Sequence, residues 1–589
     1  MKTPKPLRDT WLVFQRHLLL MSRSPLQIFL GVAQPVVYLA LFAPLLKPAL
    51  APMGAGTMAD AYRIYVPGML VALALGGGLY VGFGLLAELG SGVIERARVT
   101  PVSRVALLLG RSLRDVVVLA VQAAVLIVLA TPLGLLVRVP DLLLAYLLLA
   151  LISLTSSAVS YGLALKVGNP DVLGQLVNNL AQPLMLLSGT LLPLALAPAV
   201  AAPGLRLEPV QLGRDRHARA VHRPPGRPGG LAQPRPDGGR RPRRAALVRP
   251  PLRPHRPLNP SPTPSRRTPM IETSALRKSY RTGRRGRTTT VDAVAGLDLR
   301  VAEGEIFGLL GPNGAGKTTT LRMLATLLPP DGGRATVAGA DLLARPADVR
   351  RAIGYVAQGG GTWDEVTARE ELVLQARMHG LDKTEARARA AAAVDSFDLA
   401  EYADRPCRGY SGGQRRRLDI ALGVVHRPTV LFLDEPTSGL DPAARARLWA
   451  EVRRLRDAGM TVFLTTHYLD EADALCDRIA IVDGGAKVAE GTPAELKRSI
   501  AGEVVTVTVA EPHLAPKAVE VLAAQECVRT AEERGDGALR LSVDAGESAM
   551  PQIMRALAGA DIATATIALH RPTLDDVFLA RTGRSIEES

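Results

Sequence analysis

Five stretches between Leu26 and Pro203 carry no charged side chain over lengths that reach across a bilayer: Leu26–Leu46, Val66–Ala87, Val116–Val137, Leu142–Leu165 and Val172–Pro203. A crossing takes about 20 apolar residues, each rising about 1.5 Å in a helix. One such stretch reads equally as a buried core helix, but five in series would overfill any soluble core. The last, 32 residues long, is interrupted by Pro183, Gly189, Pro193 and Pro198. It is expected to form a span followed by a re-entrant or interfacial piece. No cleavage-site pattern accompanies the first stretch, so a removed signal peptide is not expected. Residues 1–204 therefore predict an all-α polytopic membrane domain of about five spans.

Basic residues set the orientation. The 88–115 loop carries Arg96, Arg98, Arg104, Arg111 and Arg114, and the N-terminus Lys2, Lys5, Arg8, Arg16 and Arg23, whereas the loop between them has only Lys47 and Arg63. By the positive-inside rule the N-terminus and the 88–115 loop are cytoplasmic. Between Arg8 and Arg23, cations alternate with Trp11, Leu12, Phe14 and Leu18–Leu20. That pattern suits an interfacial helix on the inner leaflet, or a polar-capped extension of the first span.

After Met270 the chain reads as a charged globular protein. Its three cysteines, Cys407, Cys476 and Cys527, lie there without a CxxC or metal-ligand spacing, as reduced cytosolic thiols do. An apolar strand run, Glu305–Leu310, leads into Gly311, Pro312, Asn313, Gly314, Ala315, Gly316, Lys317 and Thr318, and then a helical run from Thr319 to Leu327. This is GxxxxGK[ST] in its required strand–loop–helix setting, in which backbone N–H groups and the helix N-terminus face phosphate. Lys317 is placed to reach the β- and γ-phosphates of ATP, and Thr318 to ligate Mg2+. A second apolar strand, Val430–Glu435, ends in two carboxylates. Asp434 suits Mg2+ and Glu435 suits polarising the attacking water, although paired acids at a strand end also serve as caps or ion-pair partners. Ser411, Gly412, Gly413 and Gln414 open another helix N-terminus and offer a second anion site; alone, they would read as a surface turn.

With Gln358, the run Ser438–Asp441 and the triplet Thr465-Thr466-His467, these motifs stand in the order of the ABC ATPases, which this half of the chain resembles. The resemblance implies that Tyr280 stacks on adenine, against edge packing as the alternative for that ring. It implies that Gln358 senses Mg2+ alongside Thr318 and Asp434 and contacts the membrane domain. Glu435 matches the catalytic base, and His467 the contact to the γ-phosphate. Ser411 and Gly413, within Ser411–Gln414, match residues that bind ATP held by the other ATPase subunit, and Asp441 joins the nucleotide-binding set. Two ATPase domains head to tail are then required, and a homodimer supplies them. Tyr410 stands where the family most often has Leu, followed after Gln414 by Arg415-Arg416-Arg417-Leu418-Asp419. Together with the ending Arg571–Phe578, this resembles the daunorubicin-resistance subgroup. Asp575 and Asp576 in that ending read alternatively as solvated surface. Alternation over Val504–Ala510 predicts a small α+β appendage in residues 501–589, with an assembly or regulatory role.

In the membrane half, Glu95-Arg96 with Thr100-Pro-Val-Ser-Arg104, and Ser188–Pro193, resemble the type-2 ABC exporter permeases. There the first motif lies on the cytoplasmic face between the second and third spans and the second near the outer end of the fifth. That family has six spans. Where the sixth should fall, residues 205–269 hold sixteen Arg and fifteen Pro, no Lys, no aromatic residue and three acids. This segment alone accounts for all but three units of the net charge of +16. It cannot build a core. Without aromatic interleaving it does not look like a nucleic-acid site. It reads as a flexible linker, an arginine-rich arm or, as we favour, an out-of-frame translation of the last membrane segment joining two adjacent genes. Five spans from a cytosolic N-terminus would otherwise leave the ATPase outside, away from ATP.

The expected fold is thus multidomain: membrane permease (1–204), an Arg/Pro-rich linker or frameshifted segment (205–269), an α/β P-loop ABC ATPase (270–500) and the appendage (501–589). The expected function is an ATP-driven exporter half-unit in the cytoplasmic membrane, multi-pass, with a cytosolic ATPase and a hydrophobic drug-like or lipid-like substrate. Its expected partners are a second copy or a separate permease, and membrane lipid. The alternative confines function to residues 270–589, as a soluble ATPase subunit serving a separately encoded permease. A non-transport role, as at ribosomes, typically uses two ATPase cassettes in one chain, and this chain has one.

Overall fold

The computed structural model describes residues 4–50, 57–187, 269–282, 289–499, 503–543, 546–570 and 572–583. The Ser188–Pro193 motif, residues 205–268 and Arg571 lie outside these. Contacts divide the chain into two units, one of Leu26–Gly82 and Asp115–Arg267, the other of Met1–Pro25, Phe83–Arg114 and Thr268–Ser589.

Among the described residues, seven α-helices precede residue 188: α1 (Lys5–Ser22), α2 (Pro25–Leu50), α3 (Met58–Gly90), α4 (Val93–Val99), α5 (Arg104–Ala130), α6 (Val139–Val167) and α7 (Pro170–Leu187). Four segments are long and apolar enough to cross a membrane: Ile28–Leu45, Met58–Gly90, Arg104–Leu133 and Val139–Val167. They match the first four uncharged stretches. The part of the fifth that lies among the described residues is on α7, which carries Gln175, Asn178, Asn179 and Gln182. Among the described residues there are four candidate spans, and the rest of Val172–Pro203 lies outside them. In the first unit, α3 and α6 approach through small residues. A Cβ on Gly82 would come within 2.9 Å of Ser160 O. Ser160 Oγ accepts the Gly82 N–H at 3.0 Å and donates to Leu79 O at 2.5 Å. This satisfies a polar side chain inside an apolar bundle, as close helix packing in membranes favours.

In the second unit, β1 (Pro269–Thr282), β2 (Thr289–Ala302), β4 (Gly332–Val337) and β5 (Ala340–Asp341) form an antiparallel sheet in the order β2-β1-β4-β5. A six-stranded sheet joins β3 (Ile306–Leu310), β6 (Ile353–Val356), β7 (Val430–Asp434), β8 (Thr461–Thr466), β9 (Arg478–Asp483) and β10 (Ala486–Gly491) in the order β10-β9-β3-β8-β7-β6. Only β10 is antiparallel to its neighbour; the other pairings are parallel. Strands β3, β7 and β8 are buried along their whole length, as continuous apolar runs in a covered parallel sheet must be. Phe307, Phe432 and Phe463 fill the centre, with the Phe307 and Phe463 rings stacked at 5.7 Å. The helices are α8 (Lys317–Leu324), α9 (Pro346–Ala352), α10 (Ala368–Met378), α11 (Lys383–Ser396), α12 (Gly412–Val424), α13 (Pro442–Asp457), α14 (Leu469–Leu475) and α15 (Pro493–Arg498).

Helix α1 has one face covered by protein. Val13 packs with Ala97, Val102, Ala106 and Met378, so that face is buried in protein, while Leu7 and Trp11 remain exposed. The α+β appendage has strands β11 (Glu503–Val509), β12 (Val528–Gly535), β13 (Ala538–Val543) and β14 (Thr564–His570) in the order β12-β13-β11-β14, with α16 (Ala515–Ala523) and α17 (Gly546–Gly559). The last helix, α18 (Leu574–Thr582), leaves it and buries Leu574, Val577 and Phe578 in the ATPase core. Asp576 closes a capping box with Thr573, so this acid has a local structural partner beyond solvent.

His379, capping α10, stacks on His426 with ring centroids 3.4 Å apart. Loss of hydration, together with its neighbour, holds His379 well below the usual histidine range. Burial lowers His426 to about 4. Both rings are neutral when folded and bind protons near pH 6.5 when unfolded. Their contribution to stability is thus complete above about pH 6.5 and is lost as pH falls toward 4. Thermal melting of the full chain should drop over that window. His379→Phe, which keeps a ring but no titrating nitrogen, should flatten the drop; an unchanged slope would mean the pair does not contribute.

Candidate nucleotide site

Strands β3, β8 and β7 lie side by side and parallel, so their carboxyl ends deliver the P-loop, the Thr465–His467 segment and the Asp434–Glu435 turn to one edge. Ligand sites in parallel sheets form at this edge. The P-loop backbone excludes side chains where it turns. Gly316 has φ 95°, and a Cβ there would sit 2.1 Å from Ala293 O. Lys317 Nζ is buried and donates to the Gly311 and Pro312 carbonyls at 2.6 and 2.9 Å. Burial lowers its pKa, and Glu435 and Asp434 oppose that shift.

Thr318 Oγ1 donates to Asp434 Oδ1 at 3.0 Å, and Thr465 Oγ1 donates to the same oxygen at 2.7 Å. Burial raises the Asp434 pKa against these two bonds, which marks a carboxylate suited to a nearby cation. Both first-named oxygens are hard donors of the kind Mg2+ takes. Among the described residues no group of three or more His, Cys, Asp or Glu could hold a metal by itself.

Glu435 adopts φ 43°, a left-handed conformation costing about 1–3 kcal/mol for a non-glycine residue. Its surroundings impose it. Its N–H reaches Thr465 O at 3.2 Å and Thr465 Oγ1 at 3.1 Å. Gln358 Nε2 donates to Glu435 Oε2 at 2.7 Å, and His467 Nδ1 stands 3.4 Å from Oε1. Lys317 Nζ lies 3.9 Å from the same Oε1. The acid turn is also held by Arg416, a residue the sequence did not single out. Its guanidinium donates to Pro436 O at 2.6 Å, Ala357 O at 2.8 Å, and Asp434 O and Glu435 O at 3.3 Å. It stands in the run Arg415-Arg416-Arg417, quoted above only for the subgroup resemblance, and is 7% exposed.

The structure thus brings Gln358, Lys317, Thr318, Asp434, Glu435 and His467 together. The other sequence-selected residues stand apart. Tyr280 lies on β1 opposite Val291 with its ring 40% exposed. Ser411 and Gln414 cap the exposed start of α12 through a reciprocal box, and Asp441 caps α13 by accepting the Ala444 N–H. None of these four touches the P-loop cluster among the described contacts.

A short arm, α4, joins the C-terminal end of α3 to the N-terminal end of α5 and reaches the site. On α4, Glu95 pairs with Arg322 of the P-loop helix at 3.0 Å and accepts from Tyr355 Oη at 3.1 Å. Arg96 pairs with the buried Glu371 of α10. Arg98 donates to Leu327 O at 2.9 Å. Burial raises the pKa of Glu371, but Arg96 and Arg16 overcome it and leave the carboxyl below its usual range.

A family model of ABC transporters matches residues 294–438, one of ABC-2 type transporters matches 8–205, and one of the DrrA1-3-like ATP-binding protein C-terminal domain matches 491–582. The daunorubicin/doxorubicin resistance ATP-binding protein DrrA of Streptomyces peucetius is 45% identical over 327 residues, 55% of this chain and 96% of that protein. The daunorubicin resistance ATP-binding protein DrrA3 of Streptomyces coeruleorubidus is 46% identical over 50% of this chain and 94% of its own length. The Nod factor export ATP-binding protein I of Ralstonia nicotianae is 38% identical over 54% of this chain and 96% of its own length.

Arg416→Lys keeps the charge but loses the fork that holds four carbonyls. ATP turnover should fall by about 10-fold or more with KM nearly unchanged, since a small displacement of a reacting group costs rate. Unchanged kcat would show that the turn needs no such brace.

Proposed function

The chain belongs to the ABC transporter family, with an ABC-2 type membrane domain and an ABC ATPase in one polypeptide, and we propose that it is an ATP-driven exporter half-unit moving a hydrophobic drug-like or lipid-like compound across the cytoplasmic membrane. One observation carries the coupling: Glu95 and Arg96, on the arm joining α3 and α5, pair with the P-loop helix and with α10. The substrate class follows the relatives, named for daunorubicin resistance and Nod factor export. No charged side chain in the uncharged stretches favours a charged cargo.

In this reading the P-loop from Gly311 to Thr319, through its backbone N–H groups other than at Pro312, holds the phosphates of ATP, and Lys317 leaves the Gly311 and Pro312 carbonyls to meet them. Thr318 and Asp434, with the Gln358 amide oxygen, hold Mg2+, which when bound neutralises phosphate charge. Glu435, aimed by Arg416, Thr465 and Gln358, takes the proton of the attacking water. His467 orients Glu435 and meets the γ-phosphate, and Tyr280 stacks on the base. Ser411–Gln414 and Asp441, apart from this cluster, serve the ATP of a second copy bound head to tail.

Glu435→Gln should hydrolyse ATP about 100-fold slower or worse while still binding it. A Cβ on Gly412 meets nothing within 4 Å in its own chain. Gly412→Trp should therefore leave folding and ATP affinity intact yet stop turnover. Near-normal turnover in the first variant would remove Glu435 as base; loss of binding together with turnover in the second would remove the in-trans role.

A second reading confines function to residues 270–589, as an ATPase subunit with a separately encoded permease. It is favoured because about half of this chain matches over nine-tenths of each relative's length. The neighbouring coding frames between Pro203 and Met270 decide between the two. An apolar run of about 20 residues followed by a stop codon supports the second reading, and its absence the first.

A further inference from the structure

The helix after His467 buries an acid that takes no part in the chemistry of the P-loop cluster. Glu471, on α14, is 0% exposed. A carboxylate out of water needs hydrogen bonds or charge in place of its hydration. Among the described residues no ion pair forms on it. Burial raises its pKa, and the Thr466 and Thr437 hydroxyls, the Trp449 indole and the charge of Arg445 oppose the shift. Trp449 Nε1 donates to Glu471 Oε1 at 3.2 Å. Glu471 Oε2 and Thr437 Oγ1, both buried, complete no hydrogen bond.

These neighbours come from three segments that bear on ATP. Thr466 ends β8 and is followed by His467, which stands 3.4 Å from Glu435 of the same chain. Thr437 lies two residues after Glu435, in the turn that runs through Ser438 to Asp441, and its carbonyl accepts the Leu440 N–H at 3.1 Å. Trp449 and Arg445 belong to α13, which Asp441 caps by accepting the Ala444 N–H at 2.8 Å. A second contact runs beside the first. The Arg445 guanidinium sits 4.5 Å from the centroid of the Tyr468 ring, and that ring is 4.1 Å from the ring of His467. Helix α13 and the His467 segment are thus joined twice, through Trp449–Glu471 and through Arg445–Tyr468. In a close-packed interior a shift of one segment carries the other, because buried polar groups have few alternative partners.

We propose that Glu471 is a positioning residue that joins the two ATP sites of the head-to-tail pair. It holds the Ser438–Asp441 segment, which serves the ATP of the second copy, in register with His467, which serves the ATP of its own copy. Thr437 Oγ1 and Glu471 Oε2, each buried without a bond, favour a shift of the turn toward α14 that lets them meet. The assignment rests on the head-to-tail pairing proposed for the two copies and does not depend on which compound is moved.

The test uses full-length chains with two different affinity tags, so that a mixed dimer is isolated and its single-turnover ATP hydrolysis measured. One copy carries Glu435→Gln, which leaves the fast hydrolysis to the other. Glu471→Ala added to the Glu435→Gln copy should slow that hydrolysis by about 10-fold or more with ATP affinity little changed, since a displaced group costs rate before it costs binding. A role confined to its own site would leave the rate as it was, because the substituted copy is not the one hydrolysing. Trp449→Phe in the same copy keeps a ring but removes the N–H. It should slow the other copy in the same direction, and it carries the test if Glu471→Ala fails to fold. Gly412→Trp in the Glu435→Gln copy checks the pairing itself and should stop hydrolysis in the other copy. If Gly412→Trp does not, the head-to-tail pairing fails and the assignment falls with it. If Gly412→Trp stops hydrolysis while Glu471→Ala and Trp449→Phe leave it unchanged, the pairing stands and Glu471 does not join the sites.

Discussion

The second unit depends on one buried carboxylate. Glu371 is 2% exposed on α10, in the middle of the ATPase core face, and a carboxylate removed from water is costly unless charge and hydrogen bonds replace its hydration. Among the described residues, the cations that act on it are Arg96 and Arg16, neither from the ATPase sequence. Arg96 comes from α4, at the foot of two membrane-length helices, and Arg16 from α1, just before the first. Helix α10 can bury this face only with the membrane-linked arm in place. Removing one partner of such a pair leaves a buried, unpaired charge, costing about 3–5 kcal/mol. Arm and ATPase are accordingly a single contact unit, although more than 150 residues of chain separate them.

The same arm reaches the chemistry by two short routes. Glu95 holds Arg322, five residues beyond Lys317, and Tyr355 at the end of β6, which leads into Gln358. Arg416 then places the carbonyls of Ala357, Asp434, Glu435 and Pro436 on one guanidinium at the start of α12. Ser411–Gln414, the strained Glu435 turn and the Gln358 loop are therefore linked through a few side chains with little freedom. In a close-packed interior such links change by switching between arrangements, not by gradual give.

Much of this was legible in the chain. Uncharged stretches gave four of the membrane-length helices because hydropathy is local and needs no partner. The P-loop, Asp434, Glu435 and Gln358 were legible because phosphate chemistry demands particular residues at particular spacings. What escaped was non-local. Arg416 sits among three consecutive arginines, and only the fold shows that it is turned inward. That protein covers one face of α1 was not legible either, because an apolar face reads alike whether lipid or protein covers it; Val13 and Phe14 are covered by protein. Asp575 and Asp576 looked solvated, and their sequence could not show that Leu574, Val577 and Phe578 beside them anchor in the ATPase core. The fifth stretch runs beyond the described residues; the part within them, on α7, carries four amide side chains, because absence of charge is not absence of polarity.

The most direct test of this account is hydrogen exchange of α3 and α5 in the full chain with and without ATP, in a Glu435→Gln background that holds the nucleotide. With the native pair, ATP should change exchange in both helices. Arg96→Glu or Glu371→Arg alone should abolish that response, and the two together, which restore opposite charges at the same positions, should recover it. If either single reversal transmits as well as the native pair, the buried ion pair is not the link between ATP and the membrane helices.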